Sequence, residues 1–125
     1  MTDLQFIVKS LIPRSLAVLA ASSGLAARPA LSAPNVYSNY VRGVTSLGEC
    51  LSRTKRTAKS LGFVVNVQVA SFSRGGGGDF YADHVSNSMA VNVHCNALDG
   101  IASIGIAGVN NDSAYSMMRQ FYDQF

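Results

Sequence analysis

The sequence predicts an α+β fold: a three-stranded antiparallel meander with two N-terminal helical segments and a C-terminal helix packed on one face. Three observations predict it. Apolar residues alternate in 63–72 and 88–95, the period of a half-buried strand. They recur at steps of three and four in 36–61 and 114–125, the period of an amphipathic helix. Neither connection between the predicted strands holds a convincing crossover helix, so neighbouring strands run antiparallel.

Leu4, Ile7, Val8 and Leu11 make the first helical segment, with Thr2 or Asp3 as its N-cap and Pro13 ending it. A second short segment covers 15–22. Residues 24–34 hold two prolines and read as a connector. Residues 1–34 are thus a helical arm and connector, and 35–125 the α+β core of a single domain.

The longest predicted helix follows Pro34, a good first-turn residue. Val36, Tyr40, Val44, Leu47, Leu51, Ala58 and Leu61 form its apolar stripe, and Gly62 is a C′ cap. Arg53, Lys55, Arg56 and Lys59 crowd its last turns, where cations oppose the negative end of the helix dipole.

In the first strand Phe63, Val65, Val67 and Val69 point one way, and Asn66, Gln68 and Ala70 the other. In the second, Met89, Val91, Val93 and Cys95 alternate with Ala90, Asn92 and His94. Asp99-Gly100 signals a turn into a third strand over 101–109, with Ile104 and Ile106 in phase. Asn110-Asn111-Asp112 caps the last helix, whose stripe is Ala114, Tyr115, Met118, Phe121, Tyr122 and Phe125.

A chain of 125 residues, 48% apolar, is long enough for a real core. Only 14% of its residues are charged, well below the usual quarter of a soluble domain. Much of the surface must then be Ser, Asn, Gly and Ala, which suits a protein covered by other subunits. The net charge of +3 permits an acidic partner without demanding one.

Residues 1–33 carry Lys9 and Arg14, a short apolar run at 16–21 and small residues near Ala26 and Ala27. That order resembles an export signal or transit peptide, but Asp3 and the closeness of Arg14 to the run favour reading the segment as structure. The run is too short for a transmembrane helix. Cys50 and Cys95 form no CxxC, and buried free thiols are the reading preferred over a disulfide.

The most unusual segment is the long loop predicted over 73–87. Gly75–Gly78 and Arg74 could approach an anion, yet no Walker motif follows, and a flexible tip or a subunit-contact arm is the better reading. Its Phe80 and Tyr81, with Tyr122 and Phe125 of the last helix, are the expected protein-interface residues. Arg42, Arg53, Lys55, Arg56, Lys59 and Arg74 are the candidate phosphate-binding residues. The predicted sheet lacks the exposed aromatic pair of an RNA-reading surface, so only non-specific nucleic-acid contact is expected.

His84, His94 and Cys95 are the one set that could make a zinc or thiol site. His94 and Cys95 are adjacent on a strand and point to opposite faces, which makes them a poor ligand pair. No GxSxG, HExxH or paired-carboxylate spacing occurs, and no cofactor is expected.

The function expected is that of a non-enzymatic structural subunit in a larger assembly, such as a virion, ribonucleoprotein or organellar complex, with contacts through the open sheet edge, loop 73–87 and the C-terminal helix. Its partners would be further copies or other protein subunits. A small nucleic-acid-binding module, using the basic helix end, is the first alternative. A thiol- or zinc-dependent enzyme is the second, and an interfacial membrane role for residues 4–27 is weaker still.

Overall fold

The computed structural model describes residues 33–125, Ser73 and Gly75 excepted, so the two predicted N-terminal segments lie outside the described residues. The chain runs β1 (Asn35–Arg42), α1 (Leu47–Ser60), β2 (Phe63–Ser71), β3 (Gly77–His84), β4 (Met89–Asn96), β5 (Ile101–Gly108) and α2 (Asn111–Gln124). The strands make one antiparallel sheet in the order β1-β5-β4-β3-β2.

Five strands replace the three expected, and the two additions have different causes. β1 lies where the long helix was predicted to begin. Val36, Tyr40 and Val44 satisfy a helical step, but the β-branched and aromatic residues of this stretch also suit a pleated strand. Pairing along β5 decides it, with all eight residues of β1 in unbroken register. Gly43, at φ +87°, turns the chain out of the strand, and the Gly43 and Val44 amides donate to the Gly100 carbonyl. Ser46 then caps α1, accepting from the Glu49 amide at 3.2 Å.

β3 lies within the predicted 73–87 loop. Its glycines are there for packing: a Cβ on Gly78 would stand 2.8 Å from the Ala70 carbonyl oxygen and 2.9 Å from Leu47 Cδ1. The polyglycine run thus lets α1 lie down on the sheet.

Both helices cover the same face, α1 over β2, β3 and β4, and α2 over β1 and β5. The core between them holds Phe63, Phe80, Val91, Val93, Ile104, Ile106, Met118 and Phe121. Fully burying a side chain of this size contributes about 1.5–3 kcal/mol. The predicted alternation of β4 and β5 is observed, as are the Asn110 cap of α2 and the turn at Gly100. That of β2 is not. Two register irregularities interrupt its pairing with β3, and Asn66 takes φ +50°, so Val65 lands opposite Asp83 on the uncovered face.

The thiol reading is also corrected. Cys50 of α1 and Cys95 of β4 form a disulfide across the core, their Cα atoms 6.1 Å apart. No cysteine of the chain is free.

Candidate functional site: the uncovered face of the sheet

The pleat and the register fix which side chains share the face away from the helices. One row across all five strands runs Tyr40, Ser103, His94, Asp79, Ala70. The next runs Ser38, Gly105, Asn92, Tyr81, Gln68. Val36, Ala107, Ala90, Asp83 and Val65 follow, with Arg42, Ile101, Asn96 and Gly77 at the opposite end. Small and uncharged polar residues dominate.

Two hydrogen-bonded groups carry the chemistry of this face. His94 Nδ1 lies 2.6 Å from Asp79 Oδ1 on the paired strand, leaving Nε2 as its other nitrogen. Tyr81 donates its hydroxyl to Asp83 Oδ1 at 2.6 Å, and Asn66 donates to Asp83 Oδ2 at 2.8 Å. The Tyr81 and Asn66 bonds hold the Asp83 carboxyl below its ordinary range. The same Asp83 bond, with partial burial, raises the Tyr81 phenol.

Ser103, His94 and Asp79 stand in one cross-strand row, a sequence of residue types that could suggest a nucleophile, a base and an orienting acid. The ring leans away from Ser103, however, over β3, where its Cε1 is 3.6 Å from the place a Cβ on Gly77 would take. Each carboxylate is already engaged. The arrangement joins a ring and a carboxylate across two strands, but it aligns no nucleophile.

The expected zinc or thiol site does not form. Cys95 is 0% exposed and bound to Cys50. His84 is five residues along β3 from Asp79, the partner of His94, so the two histidines stand roughly 17 Å apart along the sheet. His84 serves the β3–β4 turn, its Nδ1 accepting from the Ser86 and Asn87 amides at 3.1 Å each. Among the described residues no three His, Cys, Asp or Glu side chains gather as a metal would require.

The six basic candidates do not share a surface. Arg42 is on the uncovered face, 5.5 Å from the Tyr40 ring. Lys55, Arg56 and Lys59 are exposed on α1, across the sheet from it, and Arg74 is in the β2–β3 turn. Arg53 is half-buried and turned inward: its guanidinium donates to the Phe125 carbonyl and lies 5.0 Å from that ring. Of the expected interface aromatics, Phe80 and Phe125 are 2% and 8% exposed and belong to the core. Tyr122 is exposed on α2, and Tyr81 lies on the uncovered face. That face does carry aromatic side chains, but β5 and β4 separate Tyr40 from Tyr81.

Sequence reasoning missed the face as a unit because two of its strands were unassigned. The alternation of Asp79, Tyr81 and Asp83 against Gly78, Phe80 and Ala82 was the available signal. No helix among the described residues is long and apolar enough to cross a membrane.

No protein-family model matches the chain, and no match to it was found among curated proteins. Among solved structures, its fold is similar to that of the adenosylmethionine decarboxylase from Aquifex aeolicus VF5, with a TM-score of 0.52 over 76% of this chain and 82% of that one. At 14% identity the likeness is one of fold.

Proposed function

We propose that this protein is a non-enzymatic assembly subunit whose uncovered sheet face is covered by a protein partner, most simply a second copy. The observation that carries this reading is how the face handles charge. Covering an unpaired charge costs several kcal/mol, whereas a paired and hydrogen-bonded one can be covered. Asp79 is hydrogen-bonded to His94, and Asp83 accepts from Tyr81 and Asn66, so neither carboxylate lacks a hydrogen-bond partner. Arg42 sits at the rim. Between them Ser38, Gly105, Asn92, Ala90 and Ala107 offer a flat surface that another layer can approach closely.

Gly105 provides the test. A Cβ there would meet only the Asn92 carbonyl oxygen, at 3.8 Å, so a longer side chain can be added without disturbing the fold. Sedimentation velocity over a wide concentration range is expected to give a species larger than the 13.2 kDa chain, and Gly105→Lys is expected to dissociate it while leaving the circular dichroism spectrum of the folded protomer unchanged. A wild-type monomer at every concentration, alone and with its cellular extract partners removed, would overturn self-assembly.

A further inference from the structure

We propose that this domain matures in an oxidising compartment, exported by the segment ahead of β1 and released from it by cleavage between Ala26 and Ala27. Two independent observations lead there. The first is the cross-link between Cys50 and Cys95, which are 2% and 0% exposed. Disulfides persist where the surroundings are oxidising, and in the cytosol thiol reductants keep most cysteines reduced. Redox-sensing bonds are accessible or strained. This one lies under a helix, in contact with the core, and ties α1 to β4 as structure. It also uses every cysteine in the chain, leaving no thiol to resolve or exchange it.

The second observation is the order of residues before the domain. Asp3, Lys9 and Arg14 come first, then the six-residue apolar run 16–21, then Ser22-Ser23-Gly24-Leu25-Ala26-Ala27. Basic, apolar and small is the order of a cleavable export signal. Gly24 and Ala26 place small residues third and first before the proposed cut. From sequence alone, Asp3 and the closeness of Arg14 to the run favour reading this segment as retained structure. The disulfide reverses that choice, because a domain whose core needs oxidation must reach an oxidant. The cut spares all of the described fold, which starts its first strand at Asn35.

Both steps balance. Hydrolysis adds water across the Ala26–Ala27 amide, leaving a carboxylate on Ala26 and an amine on Ala27. The two thiols lose two protons and two electrons to the disulfide of a thiol–disulfide oxidoreductase, which leaves as its dithiol.

The test expresses the full chain in a bacterium and compares cytosolic and exported fractions by intact mass, N-terminal sequencing and thiol labelling in denaturant. The expected product is exported, begins at Ala27, takes no label and is lighter than its reduced form by two hydrogen atoms. Leu19→Arg, which breaks the apolar run, is expected to leave a cytosolic protein beginning at Met1 with both thiols labelled. Wild-type protein found only in the cytosol with two labelled thiols would overturn the proposal. An exported, oxidised protein still beginning at Met1 would overturn the cleavage. These outcomes are independent of the oligomeric state.

Discussion

Gly78 of β3 lies directly under Leu47 of α1, with room for a hydrogen but not for a methyl group. A Cβ there would fall 2.9 Å from Leu47 Cδ1 and 2.8 Å from the Ala70 carbonyl oxygen on the neighbouring strand. The carbonyl is backbone and cannot swing aside. Gly78→Ala is therefore expected to destabilise the domain by about 1–3 kcal/mol, the usual cost of overpacking. Urea denaturation measures it. Gly105→Ala, on the open face, serves as the control and is expected to be neutral or slightly stabilising.

The same glycine explains what was legible in the sequence and what was not. β4 and α2 obey their local periods, β5 does so less cleanly through Ile104 and Ile106, and they are closed by Asn110 or the turn at Gly100. β3 was hidden because its leading glycines read as a loop and leave only the short alternation of Phe80 and Ala82, and Gly78 is glycine because a helix from elsewhere in the chain packs on it. β1 was hidden because Val36, Tyr40 and Val44 fit two periods at once, and only the distant pairing with β5 chooses between them. The local signal that should have split the predicted helix is the capping pattern Ser46-Leu47-Gly48-Glu49. The Asn66–Asp83 and His94–Asp79 contacts cross strands, and they follow only once β3 is known.

Arg53 is expected to matter for stability rather than for binding polyanions. Its guanidinium both donates to the Phe125 carbonyl and stacks on the Phe125 ring, anchoring the chain beyond α2 to the face of α1. Arg53→Ala is expected to cost roughly 1–2 kcal/mol, from a lost hydrogen bond and a lost cation–π contact. Lysine, a point charge, should restore only part of this. Thermal denaturation gives the stability, and oligonucleotide titration at two salt concentrations gives the affinity. A drop in salt-dependent affinity without a drop in Tm would return Arg53 to the phosphate-binding set.

The Tyr81–Asp83 pair gives a pH dependence whose sign can be worked out. Tyr81 and Asn66 stabilise the ionised Asp83 carboxyl, so its folded pKa lies below the ordinary 3.8. The unfolded state then binds more protons in this range, and stability rises with pH. The contribution is complete above 3.8 and is lost as pH falls through the lower folded value. Asp83→Asn is expected to flatten this acid limb in urea titrations run at successive pH values. At the alkaline end the Tyr81 phenol titrates above its ordinary 10.0, and in the same variant it should return toward that value in an ultraviolet titration resolved against Tyr81→Phe.

The Cys50–Cys95 bond should be worth more than any single core contact. It closes a loop of 45 residues between α1 and β4, and by the chain-entropy account such a closure contributes about 4 kcal/mol through the unfolded state. Urea denaturation with and without dithiothreitol is expected to show a loss of this order on reduction. Cys50→Ala with Cys95→Ala should lose a similar amount, because the main effect lies in the freed unfolded chain. Both sulfurs are buried, so reduction of the folded protein should be slow in buffer and accelerate with denaturant as the core opens. Equal stability with and without reductant would mean the cross-link is absent from the folded protein, and α1 would then be held to β4 by apolar packing alone.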